Sequence, residues 1–162
     1  MCQLTTLRNC LYLMIRTNMS YFAFWGDDCV SSTIVPRYQW HHYAFVYDYS
    51  AFTQYIYFNG VRICTHTSSG PFLANTGSIT IGAINNTGST PGHFWTGYLD
   101  DVLYVSRAKT ATEILLDATM VAYYPFDSGS LYDQGPNRIN GVSHRFSNRQ
   151  YRLHGFFRVA LD

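Results

Sequence analysis

The stretch Trp95-Thr96-Gly97-Tyr98-Leu99-Asp100-Asp101-Val102-Leu103-Tyr104 decides how this chain is read. Aromatic and branched residues crowd it, and such side chains fit a half-buried pleated surface. Arg107-Ala108 and a short helical segment ending at Ala118 follow. Thr110 is placed as the N-cap of that helix, over Thr110 to Leu116, and Glu113 three residues later completes a capping box. The reading is a strand that leads into a capped helix.

Further strands lie upstream. In Trp40 to Asp48 the alternate residues Trp40, His42, Ala44 and Val46 share one face, and Tyr43, Phe45 and Tyr47 share the other. Both faces are largely apolar, which predicts a central strand covered on each side. Thr53 to Phe58 and Val61 to His66 flank Asn59-Gly60, the pair best suited to the positive dihedrals of a two-residue hairpin turn. Leu11 to Arg16 and Ser20 to Trp25 read as another hairpin, joined by Thr17-Asn18-Met19 and closed by the turn residues Gly26-Asp27-Asp28. Ser78 to Gly82 and Val121 to Phe126 add two short strands, and Ala83 to His93 forms a long Asn/Gly/Ser/Thr loop. Loops of that length on a rigid scaffold are where binding residues gather. From Asp127 to Asn140 the chain is turn-rich, and no clean period runs through Val142 to Asp162.

Taken in order, Trp40 to Asp48, Tyr55 to Gly60, Ser78 to Gly82 and Trp95 to Tyr104 resemble the laminin-G-like jelly rolls of the concanavalin-A-like lectin superfamily. The resemblance implies an all-β, antiparallel jelly-roll sandwich of two sheets, with one short helix after the closing strand. Trp40, Ala44, Val46, Ile56, Phe58, Ile79, Ile81, Leu99 and Val102 are then expected in the core. Tyr123-Tyr124-Pro125-Phe126-Asp127, with Asp133, Gly135-Pro136-Asn137 and Asn140-Gly141 after it, is similar to the opening of such a domain. Residues 8–118 are therefore expected to be the C-terminal portion of one domain and 119–162 the N-terminal portion of a second, as a piece of a tandem array. In that arrangement Val121 to Phe126 would fold back beside Leu99 to Val105. Neighbouring repeats of the parent protein would be its partners.

Composition narrows the function. The net charge of +1 includes a single lysine, Lys109, and scattered arginines, so no basic footprint for nucleic acid is present. No segment reaches the roughly 20 apolar residues of a membrane helix. Met1 to Ile15 is a poor signal peptide, because Arg8 and Asn9 interrupt the apolar run; an extracellular location is expected from the family resemblance alone. Cys2, Cys10, Cys29 and Cys64 show no zinc-type spacing. They allow two disulfides, and Cys29 and Cys64 equally suit small buried hydrophobes. Asn18-Met19-Ser20 and Asn85-Asn86-Thr87 are N-glycosylation sequons in expected turns.

The chemistry expected is binding. Glycosidases of this superfamily set two carboxylates about a scissile bond, roughly 5–10 Å apart. Here the one glutamate, Glu113, is assigned to a helix cap, and Asp100 and Asp101 are adjacent and alternate across a strand. His41 and His42 alternate likewise, and no nucleophile elbow is present. An enzyme is therefore not expected. Relatives with calcium bind it near the closing strand's acid and the turn after the opening strand, and the resemblance carries this to Asp100, Asp133 and either Asp127 or Asn137; Asp27-Asp28 reads as a solvated turn. Asn85, Asn86, Thr87, His93 and Trp95, with Trp25, supply the aromatic and polar groups of a glycan site. The expected function is a non-catalytic extracellular adhesion module for a glycan or protein ligand; a structural spacer and a glycoside hydrolase are the alternatives.

Overall fold

The computed structural model describes residues 7–74, 79–84, 92–120, 123–124, 130–133 and 140–141. Contacts divide the chain into two units, 1–118 and 119–162, and each is described by itself. The first unit is a β-sandwich. One antiparallel sheet joins β1 (Tyr12–Arg16), β2 (Met19–Ala23) and β3 (Asp28–Val30); the other joins β4 (Tyr43–Asp48), β5 (Thr53–Phe58) and β6 (Val61–Thr67). A helix, α1 (Ala111–Thr119), follows.

Turn chemistry sets both hairpins. Arg16 pairs with Met19 across Thr17 and Asn18, whose φ values are 51° and 59°. Phe58 pairs with Val61 across Asn59 and Gly60, at 48° and 80°. Two consecutive positive φ values give the turn whose twist matches the flanking strands. The Asn59 carboxamide Oδ1 also accepts from His42 N at 3.0 Å, tying this turn to the start of β4.

Alternation then assigns the faces. Tyr43, Phe45 and Tyr47 lie opposite Phe58, Ile56 and Gln54, and Ile56 lies opposite Cys64. This face packs on the first sheet through Phe22, Phe24, Cys29 and Ile56. Its rings meet edge to face, Phe22 on Phe45 at 5.9 Å and Phe24 on Tyr47 at 4.9 Å between centroids, the geometry ring quadrupoles favour. The opposite face of the second sheet carries Val46 and Tyr57, and fully buried Ile114 of α1 covers it. Both faces of β4 are covered, as its sequence implied; β5 is the central strand of the three, and β4 is an edge.

A disulfide between Cys29 in β3 and Cys64 in β6 bonds the sheets to each other. Its sequence separation of 35 residues corresponds to about 4 kcal/mol of removed unfolded-state entropy in the loop-closure model. Cys10, buried, is also disulfide-bonded; Cys2 lies outside the described residues. The reading of Cys29 and Cys64 as small buried hydrophobes is thereby replaced.

Several expected core residues are corrected. Val46 and Ile56 are buried and Ala44 and Phe58 half-buried. Trp40, Ile79, Ile81, Leu99 and Val102 are exposed, at 68%, 82%, 62%, 50% and 66%. Trp40 precedes β4 instead of belonging to it. Residues 79–82 and 94–105 form no strand. In the second stretch Gly97 at φ 141° and Asp101 at φ 48° interrupt the extended run. Strand composition without a hydrogen-bonded neighbour leaves these side chains in solvent. Conversely β3, too short to show a period, was not foreseen. In the second unit Tyr123 and Tyr124 are not in a strand, and the rest of Val121 to Phe126 lies outside the described residues. Tyr123 N donates to Asp133 Oδ1 at 2.6 Å and Gly141 N to Leu131 O at 2.7 Å.

The helix seats on the β5–β6 turn at Gly60. A Cβ added there would lie 2.8 Å from Leu115 Cδ1 and 3.1 Å from Leu115 Cα. Gly60→Ala combines this crowding with a left-handed backbone, and should lower unfolding free energy by about 1–3 kcal/mol. The urea midpoint should fall with an unchanged slope. Gly92, with no atom within 4 Å of an added Cβ, is the control and should accept alanine with little change.

Candidate functional site

The rim loop is pinned at its base. Ile84 and Gly92 exchange both backbone hydrogen bonds, at 2.8 and 2.7 Å, and Trp95 N donates to Gly82 O at 2.7 Å. His93, Phe94 and Trp95 emerge from this clamp into solvent. A Cβ on Gly97 would lie 3.1 Å from Trp95 Nε1, so the indole rests over a residue without a side chain. His93 adopts φ 51°, uncommon for a residue with a Cβ. Asn85, Asn86 and Thr87 lie outside the described residues. Trp25 is exposed beside Tyr12, with 6.5 Å between ring centroids. Trp40 and Tyr98, both exposed, form a tilted pair at 6.3 Å that alternation alone had not suggested.

The acidic residues expected as calcium ligands are each taken in their own unit. Asp100 is exposed and its Oδ1 accepts from Asp101 N at 2.9 Å, so the two acids form a local turn contact instead of alternating across a strand. Asp133, in the second unit, is buried and accepts from Tyr123 N. Asp127 lies outside the described residues. Among the described residues no group of three His, Cys, Asp or Glu side chains could hold a metal ion.

Glu113 behaves as the capping box requires. It accepts from Thr110 N at 2.8 Å and Thr110 Oγ1 at 3.0 Å, and Thr110 Oγ1 accepts from Glu113 N. Arg107 adds a bidentate pair at 2.5 and 3.1 Å. The Arg107 guanidinium, then the Thr110 amide and hydroxyl, hold the carboxyl down at about 2.

One polar network was missed by sequence reading. Asp27, read as a solvated turn residue, is 7% exposed. Its Oδ1 meets His66 Nε2 at 2.6 Å and its Oδ2 accepts from Ser69 N and Oγ at 3.1 and 3.3 Å. Arg8 Nη1 donates to Ser69 Oγ at 3.2 Å. These residues are 39 and 42 positions apart from Asp27 in the chain, so no local pattern signals them. Ser69 donates to the carboxylate and not to the imidazole, which is unlike a nucleophile with its base. The network stitches the β2–β3 turn to the end of β6.

A domain with this sheet pairing, covering helix and pinned rim loop belongs to a known class. The family model of the concanavalin A-like lectin/glucanase superfamily, laminin-G type, matches residues 9–115. The chain belongs to that superfamily. It is also similar to the 2.1 Å crystal structure of residues 221–444 of an S-layer domain-containing protein from Clostridium thermocellum ATCC 27405, at 22% identity and a TM-score of 0.46. The match covers 62% of this chain and about half of that one, at 50%. No curated protein matches the sequence.

Two interior polar groups yield tests. His42 is half-buried, and among the described residues its Nδ1 has no hydrogen-bond partner. Burial pushes its pKa below the ordinary 6.5, while Asp117 raises it and Lys109 lowers it by smaller amounts. The unfolded chain then takes up this proton at a higher pH than the folded one. Stability from this group is full above about pH 6.5 and declines as pH falls toward the depressed folded value. The melting temperature measured from pH 8 to 5 should fall through this window, and His42→Gln should flatten the slope.

Gln54 is fully buried between the sheets, and among the described residues neither its Nε2 nor its Oε1 has a partner. An unpaired buried amide costs about 1–3 kcal/mol. Gln54→Met, of similar length and shape, should raise the denaturation midpoint, and a lowered midpoint would show that the amide is needed.

Proposed function

We propose that this chain is a non-catalytic extracellular recognition module whose ligand, a glycan, binds at the rim around the Ala83–His93 loop. The observation that carries this reading is the clamp at the loop's base, Ile84 to Gly92 and Trp95 to Gly82, which presents His93 and Trp95 to solvent on a fixed backbone. A backbone held at Gly82, Ile84, Gly92 and Trp95 loses less freedom there on binding. An exposed indole beside hydrogen-bonding groups offers the apolar face and polar edge that a sugar ring requires.

The superfamily contains lectins and glucanases, so fold alone does not choose between them. Two further observations support the reading. The single glutamate is ionised at about 2 by its cap and its arginine, which unsuits it as a general acid near neutral pH. The disulfides agree with an oxidising, extracellular setting.

Titration against a panel of glucans, galactans and sialylated glycans tests the proposal. At least one glycan should bind, and Trp95→Ala should weaken it by about tenfold or more, the scale on which one central aromatic acts. No reducing sugar should appear on long incubation. Absence of binding to every glycan would favour a spacer role, and sugar release would overturn the non-catalytic reading.

A further inference from the structure

We infer that Asn18 is an N-glycan acceptor, and that it can be modified only before the β1–β2 hairpin closes. The proposal is independent of glycan recognition at the rim. Asn18 lies at the tip of the turn between β1 and β2, next to exposed Thr17. Its Oδ1 accepts from Arg37 Nη2 at 2.9 Å and its backbone oxygen accepts from Val35 N at 2.8 Å. Among the described residues no hydrogen bond from its Nδ2 is found beside that of Oδ1. A sugar on Nδ2 replaces one amide hydrogen and leaves Oδ1 free to keep Arg37, so the folded turn is compatible with the modified residue.

The third sequon residue sets the timing. Ser20 is completely buried, and its Oγ donates to Tyr43 Oη at 3.2 Å across the sandwich. An acceptor sequon is recognised through that hydroxyl. Once β2 packs on β4, it is out of reach of a transferase. The turn itself, with positive φ at Thr17 and Asn18, is also far from an extended acceptor peptide. Transfer must therefore occur on the nascent chain. The donor is a lipid-linked oligosaccharide diphosphate. The bond from its anomeric carbon to the diphosphate oxygen breaks, a bond from that carbon to Nδ2 forms, one amide proton passes to a base, and the lipid diphosphate leaves. The disulfides of Cys10, Cys29 and Cys64 are consistent with passage through an oxidising compartment where such donors act.

The glycan would have a physical use. Among the described residues β1 is an outer strand, and Leu13 in it and Leu11 just before it are about half exposed, at 51% and 49%. An apolar outer strand invites pairing with other chains, and a hydrophilic chain two residues beyond its end would hinder that approach.

The test uses the full chain made in a eukaryotic secretory system, with secreted and retained pools both analysed. Glycopeptide mass spectrometry after enzymatic deglycosylation in heavy-oxygen water should find Asn18 converted to a labelled aspartate. Asn18→Gln should remove one glycan mass and leave any modification at Asn85 in place. In a second arm, unglycosylated protein is incubated with microsomal transferase and lipid-linked donor, either folded or reduced and unfolded. Only the unfolded form should be modified at Asn18. An unoccupied Asn18 in both cellular pools would overturn the site, and equal modification of the folded form would overturn the timing.

Discussion

The sandwich depends on how Phe24 and Ile56 close the space between its sheets. Both are essentially absent from the surface, at 2% and 0%, and they draw Phe22, Phe45, Tyr47 and Phe72 around them. Burying such side chains is worth roughly 1.5–3 kcal/mol each. That gain alone does not fix which strands face one another, since any apolar face would collapse on another. The Cys29–Cys64 bond supplies this register, because it joins β3 to β6 at the edge of the same cluster. Asp27 completes it by binding His66 and Ser69 at the end of β6.

The features legible in the sequence are those whose causes are local. Asn59-Gly60 forms the turn expected because the pair tolerates φ > 0, and Gly60 has a further role as the seat of Leu115. Thr110 and Glu113 form their capping box because its partners lie within one helical turn. The period of two correctly separated Tyr43, Phe45 and Tyr47 from Ala44 and Val46.

What was not legible depends on distant partners. Val102, Leu103 and Tyr104 have the composition of a strand, yet composition names no neighbour, and without one the residues stay exposed. Trp40 was placed on a buried face by alternation counted from β4, but the strand starts at Tyr43 and the count does not apply before it. Asp27 carried every local sign of a solvated turn, and its interior place comes from partners 39 and 42 residues away, His66 and Ser69. His93 and Trp95 were singled out by residue type; their fixed presentation comes from backbone bonds at Gly82, Ile84 and Gly92 that side-chain pattern does not encode.

These constraints also bear on where function can reside. Among the described residues, several groups capable of acid–base chemistry are engaged: Glu113 by Arg107 and Thr110, Asp27 by His66 and Ser69, Lys109 by Asp117. Each engagement holds an element in place, so recruiting one for catalysis would loosen the fold that positions it. The exposed aromatics at the rim carry no such duty. Trp95 and His93 can exchange contacts with water for contacts with a ligand while β1–β6 and α1 stay as they are. The proposed recognition role fits this division, because His93 and Trp95 are exposed and are not among the groups engaged in holding the fold.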